Sequence, residues 1–182
     1  YIPKDWGLTI YCSIANHHLI KDVDFGRETQ IRLIDTRKRK FGVDEYNELF
    51  KSVSFWESLP YEKVLIFQTD SKLLREGIED FLEWDWVGAP WKFMDYGGNG
   101  GLSLRNVEIM TSLCEDFTFG KRNEDVLFCQ LMKINNLGKI APREICSQFS
   151  VETIYELGTL GCHGIDNWLS KDECEKILLQ YG

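Results

Sequence analysis

The run Lys63–Phe67, Lys-Val-Leu-Ile-Phe, has no polar face. A strand that alternates apolar and polar residues can leave one side in water. A continuous apolar run of this length is expected instead of a strand covered on both sides, as in a mainly parallel sheet with helices on each face. The run ends abruptly in Gln68-Thr69-Asp70-Ser71. It predicts a layered α/β domain and places a carboxylate at the carboxyl end of a buried strand, where open α/β sheets bind their ligands.

The rest of the chain fits that class. Leu8–Ile14 and Gln30–Ile34 read as short strands, and Trp86–Ala89, Leu102–Leu104 and Lys139–Ala141 as further ones. Apolar residues at helical spacing predict helices over Val43–Leu59, which Pro60 stops, and over Gly77–Leu82, Val107–Phe117 and Glu124–Ile134. A last helix begins at Ser170, with Asp172 and Glu173 in its first turn. Strands alternating with helices predict one α/β domain over residues 1–182, since 182 residues supply one substantial core rather than two.

A net charge of −8 leaves no basic surplus for nucleic acid or an anionic membrane. A single nucleotide-sized anion is still allowed, because a metal ion or a few local donors can hold it. Six cysteines without a C-x-x-C pair or a zinc-cluster spacing read as buried free thiols. With no apolar run of membrane-spanning length and no leader before Tyr1, a soluble, cytoplasmic protein is the expectation.

Asp70 is the first candidate for chemistry, either as a ligand of Mg²⁺ or Mn²⁺ or as the cap of the turn that follows. Gly97, Gly98, Gly100 and Gly101 flank Asn99 and allow close approach of something to the backbone. The spacing is neither G-x-G-x-x-G nor a P-loop, so a sugar ring or a diphosphate is the better fit, with Ser103 and Arg105 adding polar contacts. Glu124 and Asp125 open a helix, either as first-turn charges or with one as a general base. His163, between glycines, reads as a surface histidine or a weak metal or phosphate ligand, and the pair His17-His18 as solvated loop. Trp91 is a core residue or a platform for a sugar face.

Four blocks then carry a resemblance: Tyr61-Glu-Lys-Val-Leu-Ile-Phe-Gln-Thr-Asp-Ser71, Trp86-Val-Gly-Ala-Pro-Trp91, Gly97-Gly-Asn-Gly-Gly-Leu-Ser-Leu-Arg105 and Glu124-Asp-Val-Leu-Phe128. Over about residues 5–168 the chain resembles a family of uncharacterised glycosyltransferase-like domains, the DUF5672-like domains, which look like GT-A glycosyltransferases. The resemblance implies a GT-A-like, Rossmann-like fold that lacks its first βα unit, this chain being truncated upstream of Tyr1. It also implies transfer of a sugar from a nucleotide diphosphate sugar, UDP-linked, to an acceptor hydroxyl on a glycan, protein or small molecule.

In that likeness Gln68-Thr69-Asp70 stands where GT-A enzymes carry Asp-x-Asp, with glutamine in the first place, and Ser71 adjoins it. The segment with Gly98, Asn99, Gly100, Gly101, Ser103 and Arg105 resembles the loop under donor and acceptor. Glu124-Asp125 resembles the acidic pair of inverting enzymes, with Asp125 as base, and His163 the late histidine that joins Asp70 on Mn²⁺ or Mg²⁺ or meets the diphosphate. Asp35 is a candidate base or ribose contact. Gln68 in place of a carboxylate keeps open a non-catalytic nucleotide- or glycan-binding module on the same fold. A phosphohydrolase with Asp70 as nucleophile is disfavoured, because Lys72 stands where its partner carboxylate belongs.

Overall fold

The structure is a computed structural model that describes residues 1–34 and 42–180. Asp35 lies outside the described residues. The chain forms two compact units, Ile2–Leu49 and, from Phe50, the remainder.

In the smaller unit, β1 (Leu8–Ser13) and β2 (Thr29–Ile34) pair in parallel, with Leu8 opposite Thr29 and Ser13 opposite Ile34. The Arg27 guanidinium donates to the carbonyls of Ile2, Pro3 and Trp6 at 3.2–3.3 Å, tying the segment before β1 to the start of β2. Helix α1 (Val43–Phe50) follows. The single helix expected over Val43–Leu59 is two helices, because α1 stops at Phe50 and α2 (Val53–Glu57) starts after Ser52, which is extended. The Phe50 carbonyl accepts from the Trp56 indole at 2.7 Å, so a side chain takes the place of the next helical N–H.

The larger unit is built on two three-stranded sheets. In the first, β3 (Lys63–Phe67) and a later strand lie on either side of a central one, both antiparallel to it. After β3 come β4 (Ser71–Leu73), a 3₁₀ turn over Ile78–Phe81, β5 (Trp86–Ala89), and the central β6 (Asn99–Asn106). The expectation of a mainly parallel sheet is corrected here. The link from β5 to β6 is short, and Gly97 turns it at φ +72°, whereas a parallel return needs a crossover of a dozen residues or more. The apolar run of β3 is also not covered on both sides. As the edge of its sheet it is half-buried, and Phe67 is 52% exposed.

Helices α3 (Val107–Asp116), capped by Asn106 Oδ1 on the Ile109 N–H at 3.2 Å, and α4 (Glu124–Asn135) bury Met110, Leu113, Phe128 and Met132. The residues expected as a strand at Lys139–Ala141 make only a local parallel bridge, Ile140 beside Trp86. Next come α5 (Arg143–Phe149), β7 (Ser150–Val151) and β8 (Gly161–His163). The second sheet has the order β4-β8-β7, with β4 antiparallel and β7 parallel to β8. The final helix α6 (Lys171–Leu179) has a full capping box: Ser170 Oγ accepts from the Glu173 N–H, and Glu173 Oε2 accepts from the Ser170 N–H.

Both ends of the first sheet are pinned by polar groups. At one end Asp85 accepts from Lys63 Nζ and Asn106 Nδ2, each at 3.0 Å, and from the Lys139 N–H at 2.8 Å. Burial raises the Asp85 carboxyl, but the Lys139 bond, with the bond and charge of Lys63, outweighs it and holds the group below its ordinary value. At the other end, where β3 runs into Gln68 and β6 begins, lie the residues singled out in the sequence.

Candidate functional site

Two charged clusters meet at the Gly100–Gly101 backbone. The first is closed. Arg105 projects from β6 and is 0% exposed, and it makes a two-pronged pair with Glu124 at 2.8 and 2.9 Å. Its Nε donates to Ser103 Oγ at 2.9 Å and its Nη2 also to the Gly100 carbonyl at 3.1 Å. The guanidinium lies 4.1 Å from the centroid of the Trp86 ring and 5.0 Å from that of Phe50. Glu124 stands at the first turn of α4, and burial raises its carboxyl above the ordinary value; Arg105 opposes this and the Asp125 charge adds to it.

Arg105, Ser103 and Glu124 are thus engaged internally, whereas Ser103 and Arg105 were expected to add polar contacts to a sugar ring or a diphosphate. A buried arginine is kept only when its donors are matched, and here aromatic faces and one carboxylate match them. The glycines are explained by the same interior. A Cβ on Gly98 would strike the backbone of Gly88, and one on Gly100 would come within 2.7 Å of Glu124 Oε1. What packs against this glycine segment is the protein itself.

Asp125 borders that cluster. Its Oδ2 accepts from the Gly100 N–H at 3.0 Å and its Oδ1 from the Val126 N–H at 2.7 Å, and the residue is 9% exposed. Each oxygen retains a lone pair for another donor.

The second cluster is open. His163, the last residue of β8, is set opposite Ser71 by the β4–β8 register, and a Cβ on Gly101 would run into its imidazole ring. Ser71 Oγ and the Gln68 N–H both donate to the Gly101 carbonyl, at 3.1 and 2.9 Å, fixing the strand end against the ring. His163 Nε2 lies 3.0 Å from Gln68 Oε1 and 3.3 Å from Asp70 Oδ1. Its Nδ1 is buried without a hydrogen bond and faces Glu152 Oε1 at 3.5 Å. The Asp70 side chain is 53% exposed and Thr69 is exposed beside it.

His163 is therefore neither a surface histidine nor in a flexible turn: it is a buried strand residue whose Nε2 points to Asp70. The structure brings Gln68, Asp70 and His163 together at one end of the antiparallel β4–β8 ladder, with 95 positions of sequence between Gln68 and His163, which a local pattern cannot reveal. Glu152 escaped sequence reading; it follows the two-residue strand β7, whose only sequence mark is the brief Ser-Val alternation.

The groups that converge here are the Asp70 carboxylate, the Gln68 amide oxygen and His163 Nε2; the two oxygens are of the kind that hard divalent cations take. Among the described residues no group of three or more His, Cys, Asp and Glu side chains is placed to hold a metal ion.

Other side chains fall away from the site. Asn99 Oδ1 accepts from the Gly101 N–H at 2.8 Å, a local bond that shapes the strand. Trp91 is buried, and Phe93, exposed, stacks on it with ring centroids 5.4 Å apart. All six cysteines are free; Cys129, Cys146, Cys162 and Cys174 are buried as expected, whereas Cys12 and Cys114 are half-buried. Burial pushes the Cys114 and Cys146 thiols up to about 12 and Cys162 to about 11, so none of these three is a ready thiolate nucleophile.

Residues 29–163 match the family described as protein of unknown function DUF5672. The chain belongs to the DUF5672 family. No curated protein matches it. Every residue of both clusters, from Gln68 to His163, falls within the DUF5672 span, and that span closes on the histidine that joins the two sheets' ends. No helix of this DUF5672 chain, among the described residues, is long and apolar enough to cross a membrane.

Proposed function

We propose that this chain is a GT-A-like glycosyltransferase that moves a sugar from a nucleotide diphosphate sugar, UDP-linked, to an acceptor hydroxyl with inversion. The observation that carries the proposal is the convergence of Gln68, Asp70 and His163 just beyond the end of β3. When bound there, Mn²⁺ or Mg²⁺ supplies positive charge for the departing diphosphate oxygens. Asp70, His163 and Gln68 are the residues that would hold it.

On the other side of the Gly100–Gly101 backbone, Asp125 is the candidate base. It takes the proton of the acceptor hydroxyl; the acceptor oxygen bonds to the anomeric carbon as the bond from that carbon to the diphosphate oxygen breaks. The nucleotide diphosphate leaves with the electron pair. The Gly100 and Val126 N–H groups hold the carboxylate in one orientation for this work.

The test is a panel of nucleotide sugars with Mn²⁺ and the full chain. Transfer or slow donor hydrolysis is expected, and Asp125→Asn should lower kcat by ~10²–10⁴ while donor binding persists. A chain that turns over no donor, or an Asp125→Asn variant with unchanged turnover, overturns the mechanism.

A second reading is a non-catalytic nucleotide- or glycan-binding module. It is favoured by the two backbone bonds that already engage Asp125 and by the glutamine at position 68. Calorimetry separates the two: metal-dependent nucleotide diphosphate binding with no turnover selects the module.

A further inference from the structure

Phe93 is 69% exposed, yet its ring is held in place. It lies on the ring of the buried Trp91, with centroids 5.4 Å apart and planes 21° from parallel. One face is therefore taken, and the other meets solvent. The backbone beneath it is fixed as well. Arg143 Nη2 donates to the Trp91 carbonyl at 2.8 Å and to the Met94 carbonyl at 3.2 Å, bracketing Lys92 and Phe93, and the Arg143 N–H donates to the Asp95 carbonyl at 3.0 Å. Any aliphatic side chain would cover Trp91. A ring stacked in parallel does more, because it presents a second flat face.

We propose that Phe93, backed by Trp91, is a stacking platform for one pyranose ring. A pyranose carries C–H bonds on its faces and hydroxyls around its rim. The C–H groups match the negative face of a phenyl ring, and the hydroxyls need polar groups beside it. Lys92 is exposed next to Phe93, and the Asp95 side chain, 90% exposed, lies 3.1 Å from Arg143 Nη2. The same charges argue against a protein partner, which takes a contiguous apolar patch rather than a lone ring between charged residues. Because the ring is already fixed, a sugar that docks on it pays little to order it.

The platform stands apart from Gln68, Asp70 and His163 but at the same end of the first sheet. β3 ends at Phe67 opposite Leu102, and β5 ends at Ala89 opposite Asn99. The chain therefore leaves β5 toward Trp91 and Phe93 at the end where the Gly100 N–H holds Asp125. With Asp125 as the base, the sugar on the platform is the acceptor. That last step rests on the transferase reading above; the binding of a pyranose does not.

Saturation-transfer NMR on the full chain, without metal or nucleotide, tests it with the methyl glycosides of glucose, galactose, mannose, xylose and N-acetylglucosamine as probes. At least one is expected to bind, with saturation strongest at the C–H protons of one ring face. Phe93→Leu keeps an apolar cover over Trp91 but has no flat face, and it should weaken that binding ~10-fold or more. Phe93→Tyr keeps the face and should keep the binding; urea midpoints check that both variants fold. Failure of every probe to bind, or binding unchanged in folded Phe93→Leu, overturns the proposal. So does self-association of the chain that Phe93→Leu abolishes while no glycoside binds, which would make the ring a protein contact. If the glycosides bind as stated and no nucleotide sugar is turned over, the platform stands and the transferase reading fails. If donors are turned over and no glycoside binds, the platform fails and that reading stands.

Discussion

Arg105–Glu124 and His163–Asp70 are two ion-pair candidates separated by the Gly100–Gly101 backbone, and they differ in every property that matters for function. The first is fully buried, bidentate and boxed by Trp86 and Phe50. The second joins a buried ring to a half-exposed carboxylate, with a ring nitrogen left unbonded. Saturated charge in a dry interior has no capacity left for a ligand, and its worth is structural. A half-exposed carboxylate at a strand end is solvated and still has capacity for a ligand, and the cost in this cluster lies with the buried ring nitrogen that has no hydrogen bond. A sequence motif does not carry that distinction: Arg105 and Asp70 both look like phosphate ligands until their partners are seen.

The comparison breaks most readily at Arg105. Arg105→Met removes the two-pronged partner of a buried carboxylate and should cost ~3–5 kcal/mol in urea denaturation. Replacing both, Arg105→Met with Glu124→Leu, should recover most of that loss, because the pair itself adds little net stability once its desolvation is counted. If the double variant folds stably and still binds nucleotide diphosphate and Mn²⁺ as the wild type does, the cluster is structural. Loss of ligand binding in a stable double variant would show that Arg105 serves the ligand after all.

Asp85, at the far end of the first sheet, extends the comparison to a third cluster. It has a charged partner and two further donors, so it belongs with Arg105–Glu124 in kind. Asp85→Asn should destabilise by ~1.5–3 kcal/mol at neutral pH and leave Mn²⁺ affinity unchanged. The sign of the pH dependence follows from its lowered folded pKa. The stabilisation is complete above the unfolded value of ~3.9 and fades as pH falls through the folded value. Urea midpoints of wild type and Asp85→Asn should therefore differ at pH 6 and converge toward pH 2. A gap that widens in acid would refute the assignment.

Local pattern made much of the fold legible. The 3.6-residue stripe of α4 and the capping residues of α6 show in the sequence because they are set by neighbours three and four residues away. Pairing was not legible. The apolar run Lys63–Phe67 was expected inside a parallel sheet, yet its partner β6 arrives antiparallel, and whether a run is central or edge depends on strands elsewhere in the chain. The glycines show the same limit at the site. Their density correctly signals close approach, but only the fold reveals that Gly88, Glu124 and His163 are what approaches. Asp70 was readable from its place after β3, whereas Glu152 was not, because it reaches the site through a two-residue strand.

The smallest expected effect on stability is the sharpest test of the comparison. Asp70 contributes its backbone carbonyl to the fold, accepting from the Gly164 N–H at 3.2 Å, and Asn at this position keeps that bond. Its side chain is more than half exposed, so Asp70→Asn should move the unfolding free energy by no more than ~0.5 kcal/mol. Binding should respond far more. Removing the carboxylate that faces Nε2 should weaken Mn²⁺ by at least tenfold, ~1.4 kcal/mol, measured by calorimetry on the full chain. A ligand residue and a structural residue are then told apart by the ratio of these two effects, which should exceed one at Asp70 and fall well below one at Asp85. If Asp70→Asn instead destabilises the folded chain by several kcal/mol while Mn²⁺ affinity holds, Asp70 belongs with Arg105 and the open cluster is not a binding site.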